Sequence, residues 1–393
     1  MNLEILNTEI QKFINANLEN SVSKLALHKN PFPQVSWLEI INQIAAKQKA
    51  KEKLPTFFET KNIIYPSKIS VEQTSSEKTA NYKSSLVSGK KLIDLTGGFG
   101  VDSFSFSKKI NQVVHCEIKE DLSSIVKHNF KALSVENIDC LFGDSSEILK
   151  KLNTKFDWIY IDPSRRSDAK GKVFMLKDCL PNVPDLLPFY FNYAENILIK
   201  TAPILDITAG ISELKNVKTI HIVAVDNEVK ELLWEMEIHY FGPIQIKTIA
   251  IGKEKNEQFD FVLHQYKAIS TIGLPKKYLF EPNNVIMKSG GFDEVAVRFN
   301  LEKLHQHSHL YTSEEIIDFP GRIFEIQNNI SYQKKEMKLF LENTKANVTI
   351  RNFPDSVEVI RKKWKIKEGG NQYCFFTTDA NNNKIVLICT KIK

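Results

Sequence analysis

The sequence predicts an α/β protein. A doubly wound, mostly parallel sheet follows an N-terminal helical region, and small α+β domains close the chain. Three observations carry this. From Lys91, short apolar runs alternate with helical stretches, the pattern of strands joined by crossover helices. The first run leads into a glycine-rich turn and then a helix, "LIDLTGGFGVD". The chain has 393 residues, 42% of them hydrophobic and 25% charged, enough for a full core and more than one domain.

Residues 1–70 form the helical region. "SWLEIINQIAAKQKAKEKLP" places Ser36 and Glu39 in capping-box spacing. Trp37, Ile40, Ile41 and Ile44 follow the helical period, and Pro55 is expected to end the helix. Its second half is basic, with Lys47, Lys49, Lys51 and Lys53. Residues 71–90 are polar and read as an approach to the next domain rather than as core.

The sheet domain is expected over residues 71–270. "KLIDLT", "QVVHCEI", "IDCLF", "FDWIYID", "NILIKTA" and "KTIHIVAVD" are its strands, with a late antiparallel pair, "IQIKTIAIG" and "FDFVLHQY". In "DNEVKELLWEME", after a sixth strand, Asn227, Glu228 and Glu231 are further acceptor-side candidates, and a plain amphipathic helix explains them as well. "IGLPKKYLFEPN" reads as a linker. A third unit covers residues 273–322 and a last unit residues 323–393, the latter with a strand, turn and helix followed by a hairpin around "DANNN".

Composition excludes several classes. Five cysteines lie scattered without CxxC spacing, which argues for a reducing compartment and against a zinc site or disulfide framework. No apolar run approaches the roughly 18 residues of a membrane span. The start of the chain lacks the features of a signal peptide. A cytoplasmic protein with no metal and no membrane partner is expected. The net charge is +6, but Ser331–Lys393 holds 13 Lys/Arg against 6 Asp/Glu, leaving −1 for the rest. That segment either meets a polyanion or is a solvated basic surface. His305, His307 and His309 alternate as on one face of a strand, without a neighbouring acid or cysteine, and read as ordinary polar residues.

The glycine turn lets backbone N–H groups and a helix start approach a ligand. It lacks the third glycine of a dinucleotide fingerprint, since Ser103 stands there. Asp94 lies on the first strand, Glu117 closes the second and Asp144 follows the third. Acids in register at the carboxyl ends of parallel strands mark the ligand position of open α/β sheets. Glu117 suits ribose hydroxyls, and Asp144 suits an exocyclic adenine amine.

These residues resemble a class I S-adenosylmethionine-dependent methyltransferase with a Rossmann-like sheet. "QIAAKQKAKEKLP", "EQTSSEKTANYK", "IDPSRR", "KTAPILDI", "YLFEPN", "DFPGRIFE" and "RNFPDSVEVIRKKWKIKEGG" extend the likeness from about Val35 to one methyltransferase family with a ferredoxin-like and a THUMP-like domain behind the catalytic one. The resemblance implies S-adenosyl-L-methionine as cofactor. Asp94, Thr96, Gly97, Gly98, Gly100 and Asp102 would serve its methionine end, Glu117 its ribose and Asp144 its adenine. In the segment folding over it, Glu72, Gln73, Ser75, Ser76, Thr79 and Lys83 are the polar candidates, Lys83 as a partner for the cofactor carboxylate. The bland alternative is a helix N-cap at Ser75 or Ser76 on a solvated face. THUMP domains bind RNA, so the resemblance favours an RNA partner.

"IDPSRR" stands where many nucleic-acid methyltransferases carry an acid, two prolines and an aromatic. Asp162 and Pro163 fit; Ser164, Arg165 and Arg166 replace the rest. A guanidinium can stack on a base or fork onto a phosphate. The structural alternative is that the arginines pair with Asp168 or Asp178 and hold the long loop to Pro181. The route through a cysteine nucleophile after the fifth strand is closed, because "ENILIKTAPILDI" has no cysteine; its Lys200 faces the same rim. Asp162, Pro163, Arg165 and Lys200 are therefore the catalytic candidates. Arg166, Arg351, Arg361, Lys362, Lys363, Lys365 and Lys367 are the substrate-binding ones, with Phe353, Trp364 and Tyr373 as interleaved aromatics. The competing readings are a silent RNA-binding protein on this fold, a methyltransferase for protein or small molecules, and, more distantly, a nicotinamide dehydrogenase.

Overall fold

The computed structural model describes residues 2–165, 175–263 and 269–393. The chain divides into two compact units, residues 1–218 with 232–242, and residues 219–231 with 243–393.

In the first unit the apolar runs form strands β1 (Lys91–Asp94), β2 (Gln112–Glu117), β3 (Ile138–Phe142) and β4 (Phe156–Ile161). A short antiparallel pair follows, β5 (Ser164–Arg165) and β6 (Cys179–Leu180), and then β7 (Ala194–Thr201). β7, β4, β1, β2 and β3 lie side by side in that order, all parallel. The crossover helices Val101–Ser107, Glu120–Ala132 and Ser145–Leu152 alternate with them. Parallel strands covered on both faces become fully apolar, and Leu92, Ile93, Ile159, Ile161, Ile197 and Leu198 are all inaccessible to solvent.

The segment "DNEVKELLWEME" is not a helix. β8 (Val217–Val225) turns through Asp226 and Asn227, whose φ of 49° and 62° suit a two-residue hairpin turn. The chain returns as β9 (Glu228–Glu237), and Leu232–Glu237 pair antiparallel with β7. The run Leu232, Leu233 and Trp234 is fully buried, which a strand with two covered faces allows and a surface helix does not.

The N-terminal helix spans Trp37–Lys53. Ser36 stands at its N-cap without a side-chain bond, and Glu39 instead accepts from Asn2. Pro55 does not simply end it but opens the next helix, Pro55–Glu59, where its fixed φ suits the first turn. Residues 71–90 also differ from expectation. The helix Glu77–Leu86 is polar yet buries Glu77, Thr79, Lys83 and Ser84, because hydrogen-bonding and charged partners meet them inside. Two buried amides fasten the extended segment between these helices. The Gln43 side chain donates to Tyr65 O (2.6 Å) and accepts from Tyr65 N (2.9 Å), and the Asn129 side chain does the same for Ile64 O (2.8 Å) and N (2.9 Å).

In the second unit β10 (Gln245–Ile251) runs parallel to β8, and β11 (Glu257–Val262) returns antiparallel. A separate seven-stranded sheet is built from β12 (Tyr278–Pro282), β13 (Glu302–Lys303), β14 (Tyr311–Ser313), β15 (Gly321–Ser331), β16 (Asn347–Arg351), β17 (Gln372–Thr378) and β18 (Lys384–Lys391), ordered β13-β14-β12-β15-β18-β17-β16. The expected linker "YLFEPN" is thus an interior strand of that sheet, with Leu279 and Phe280 fully buried. The hairpin around "DANNN" joins β17 and β18. Among the described residues no helix is long and apolar enough to cross a membrane.

Asn129→Ala removes both bonds to Ile64 and leaves a buried N–H and C=O unpaired. Thermal or urea denaturation is expected to show a loss of about 2–4 kcal/mol; a loss below about 0.5 kcal/mol would contradict the clamp.

Candidate active site

The turn after β1 lies hard against β2. Gly97 N donates to Cys116 O (2.8 Å), and a Cβ on Gly97 would sit 2.1 Å from His115 Cε1. Gly100 has φ +80°, and a Cβ there would meet Phe130 Cζ at 2.7 Å. Both positions therefore exclude a side chain. Gly98 differs: the nearest atom to its Cβ position is 3.8 Å away, and its N–H donates to Glu117 Oε2 (3.0 Å). The turn is packed on one side and open on the other.

Under it lies a buried polar chain. Asp94 accepts from Ser103 Oγ (2.6 Å) and Thr96 N (3.0 Å), and Ser103 Oγ lies 3.1 Å from His115 Nδ1. When Asp94 is ionised, Ser103 donates its one proton to it, and His115 then carries its proton on Nδ1 and donates to Ser103. Nε2 is then the unprotonated nitrogen, and it is the buried ring atom with no hydrogen-bond partner among the described residues. Burial pushes the Asp94 carboxyl up to about 7 and the His115 imidazole down to about 4.

Lys83 is not placed to meet a cofactor carboxylate. It is fully buried, 3.2 Å from Asp102 Oδ1, and it donates to Ser75 Oγ (2.9 Å). Asp102 Oδ2 also accepts from Ser75 Oγ (2.9 Å) and Tyr160 OH (2.8 Å). Burial opposes the charge on Asp102, but Lys83, Lys200 and these bonds outweigh it and hold its carboxyl below the usual range. Ser76 is the N-cap of its helix, accepting from Thr79 N (3.2 Å); the N-cap reading is thus realised, though on a buried face. Gln73 and Glu72 are exposed, and Glu72 pairs with Lys49 (3.5 Å).

Glu117 ends β2 with Oε1 accepting from Lys119 N (2.8 Å) and Oε2 from Gly98 N, so its orientation is fixed while each oxygen keeps a lone pair. Asp144 is exposed and caps the helix Ser145–Leu152, its Oδ1 accepting from Ser146 N (2.9 Å) and Glu147 N (3.1 Å). Two apolar residues that the motif reading passed over flank them. Ile118 is 66% exposed and Phe142 56% exposed, and Phe142 pairs in register with Glu117. The signal in the sequence was an apolar residue directly after one strand-end acid and another two residues before the next.

At the end of β4, Asp162 N donates to Thr96 Oγ1 (2.6 Å), tying the loop after β4 to the glycine turn. Lys200, near the end of β7, donates to Asp162 Oδ2 at 2.5 Å. The two residues singled out separately are therefore one ion pair. Pro163 is buried beside them. The Arg165 side chain and all of Arg166 and Asp168 lie outside the described residues.

The basic candidates of the second unit separate. Lys362, Lys363, Lys365 and Lys367 are exposed at and just beyond the C-terminal end of the helix Val357–Trp364, and Lys363 lies 5.0 Å from the Tyr332 ring centre. Arg361 is half-buried and reaches Ala346 O (3.4 Å). Trp364 packs in the core. Arg351 stands elsewhere, donating to Glu281 Oε1 (2.9 Å). His305, His307 and His309 lie on a turn rather than a strand, with His309 stacked on Phe292. Among the described residues no cluster of His, Cys, Asp or Glu has the arrangement of a metal site.

A parallel sheet with a glycine turn after its first strand, strand-end acids and a tethered acid–proline loop defines a Rossmann-like methyltransferase domain. Comparison with known proteins agrees. A "putative methyltransferase" from Porphyromonas gingivalis W83, known from its crystal structure, is 30% identical with a TM-score of 0.87, covering 99% of this chain and 98% of that one. Family models match residues 31–176 (conserved hypothetical protein 95), 278–320 (ferredoxin-like domain) and 321–391 (THUMP domain-like). An "Uncharacterized RNA methyltransferase" of Clostridium acetobutylicum is 32% identical over 79 residues, which span 20% of this chain and 17% of that protein. The chain belongs to the family of class I methyltransferases that carry ferredoxin-like and THUMP-like domains behind the catalytic one.

Two predictions follow from the turn. Gly97→Ala drives a methyl into the His115 ring and is expected to cost about 2–4 kcal/mol in a denaturant titration. Gly98→Ala meets open space and costs only about 1–2 kcal/mol for its left-handed backbone. The second concerns pH. Folded Asp94 keeps its proton up to about pH 7, whereas an unfolded Asp releases it near 3.8, so this group makes the fold more stable as pH falls through that window. His115 opposes it, since the fold resists protonation down to about 4 while an unfolded His takes a proton near 6.5. Asp94→Asn removes one slope and leaves the other. Relative to wild type, its melting temperature is expected to be highest at pH 8 and to fall as pH is lowered to 5, a change on the order of 1–3 kcal/mol. A pH-independent difference would refute the assignment.

Proposed function

We propose that the protein is an S-adenosylmethionine-dependent methyltransferase acting on RNA, with the C-terminal domains docking the substrate. The observation that carries this reading is the 2.6 Å bond between Asp162 N and Thr96 Oγ1, which holds an acid-bearing acceptor loop against a glycine turn. The residues present fit the cofactor: Gly98 leaves the turn open, Glu117 offers a fixed carboxylate for ribose hydroxyls, and Ile118 and Phe142 offer apolar surface beside it for a purine. Asp144 keeps its second oxygen for an exocyclic amine. Lys83 belongs to the supporting network, binding Asp102 and so fixing the helix that follows the turn.

When bound, S-adenosylmethionine supplies a methyl group activated on a sulfonium centre. The protein's task is then to aim a lone pair at that methyl. Asp162 is suited to it. Its amide is fixed by Thr96 and its Oδ2 by Lys200, and among the described residues Oδ1 has no partner and can accept an N–H or O–H of the acceptor. The ammonium of Lys200 beside this carboxylate also offers positive charge to a nearby phosphate. The RNA assignment is supported by the THUMP-like match, by the Clostridium relative's designation as an RNA methyltransferase, and by the +7 balance of Ser331–Lys393.

Calorimetric titration with S-adenosylmethionine is expected to show saturable binding, weakened at least tenfold by Glu117→Ala. Labelled donor is expected to transfer methyl to RNA from a strain lacking the gene. Asp162→Ala should cut that transfer about 100-fold or more while cofactor affinity stays within threefold. Absence of cofactor binding by the wild type would sink the reading.

A further inference from the structure

The second unit contains a cleft of about 610 Å³ lined in part by Lys255, Glu257, Glu281, Arg322, Arg351 and Lys391. At its base Glu281, only 2% exposed, holds two guanidinium groups. Arg322 on β15 donates from Nε to Glu281 Oε2 (2.6 Å), and Arg351 on β16 donates from Nη2 to Glu281 Oε1 (2.9 Å). One buried carboxylate thus orients two arginines, and the trio keeps one net positive charge. Each guanidinium has five N–H donors, far more than Glu281 can accept. Arg351 Nε is shielded from water and has no acceptor among the described residues. Donors in excess, held rigidly by a buried anion, are what a tetrahedral oxyanion satisfies.

The rim adds to this. Lys391, on β18, is exposed and makes no ion pair among the described residues. Lys255 and Lys393 also line the cleft and are shared with Asp318 (3.1 and 3.6 Å), Lys393 pairing with Glu257 as well (2.7 Å). Five cations against these three carboxylates leave the cleft at +2. A purely structural arginine–glutamate cluster needs neither the open volume nor the unpaired lysine.

We propose that this cleft is a phosphate-binding site and that the phosphates it takes are those of the RNA chain. The second half rests on the RNA reading above; the first does not. The residues that carry it are Arg322 and Arg351, positioned by Glu281, with Lys391 at the mouth. Of these the sequence had marked only Arg351, and had grouped it with the distant cluster around Lys362–Lys367.

The test uses the full-length protein with two probes, unfractionated tRNA and inorganic pyrophosphate. Lys391→Ala and Lys391→Glu are the cleft variants, because the side chain is exposed and its loss leaves no buried group unpaired. Lys335→Glu, exposed on the same unit outside the cleft, makes the same change of charge. Binding is followed by fluorescence anisotropy across a salt series. Lys391→Ala is expected to lower the slope of log K against log salt by about one. Lys391→Glu should weaken tRNA binding about tenfold at moderate salt, more than Lys335→Glu does, with S-adenosylmethionine affinity unchanged. Pyrophosphate should compete with tRNA on the wild type and less well on Lys391→Glu. If Lys391→Glu and Lys335→Glu weaken tRNA binding equally, or not at all, the cleft assignment is overturned while the RNA reading stands. If the wild type binds pyrophosphate through Lys391 but does not bind tRNA, the RNA reading falls and the cleft is a site for a small phosphate ligand.

Discussion

The carboxyl edge of the sheet depends on how closely the glycine turn lies on β2. The His115 ring occupies the space a Cβ on Gly97 would need, so the turn can hydrogen-bond to the Cys116 carbonyl only because residue 97 has no side chain. That contact aims Gly98 N at Glu117 and places Thr96 where its hydroxyl reaches the Asp162 amide. A shift of the turn would therefore disturb Glu117 and the loop after β4 together. The open face of Gly98 and the blocked face of Gly97 are two consequences of one packing arrangement.

Around this contact the protein has buried an unusual amount of charge and polarity. Asp94, Ser103 and His115 form one chain, and Lys83, Ser75, Asp102 and Tyr160 form another. A buried ion pair is weak evidence for stability, because desolvation offsets much of the attraction. Its value here is geometric. Lys83 and Ser75 come from the segment before β1, Asp102 from the helix after the turn, and Tyr160 from β4. Their mutual bonds set three separate pieces of chain in one register.

At the end of β4, Asp162 is held at its amide and at one oxygen. Lys200 reaches it from β7, so the adjacent strands β4 and β7 each supply one member of the pair. In the second unit the same logic recurs with the signs reversed: a buried carboxylate, Glu281, positions two cations at the floor of a cleft.

The sequence by itself determined the alternation of strands and helices, the glycine turn and the placing of Asp94, Glu117, Asp144 and Asp162 at strand ends. These follow from local periodicity and from residue types that only one backbone conformation tolerates. It read "DNEVKELLWEME" as a helix because its apolar residues also fit a 3.6-residue period; pairing with β7 and the positive φ of Asp226 and Asn227 decided for a strand. It read "IGLPKKYLFEPN" as a linker, and only the seven-stranded sheet, with Arg322 and Arg351 brought to Glu281, explains a buried carboxylate there. Lys83 was assigned to a ligand because the resemblance lays its polar segment over the cofactor. Its partner Asp102 is 19 residues away along the chain. Long-range pairing of charges leaves no period in a sequence, so tertiary structure alone could decide which polar residues stay open at the sheet edge and which hold the fold.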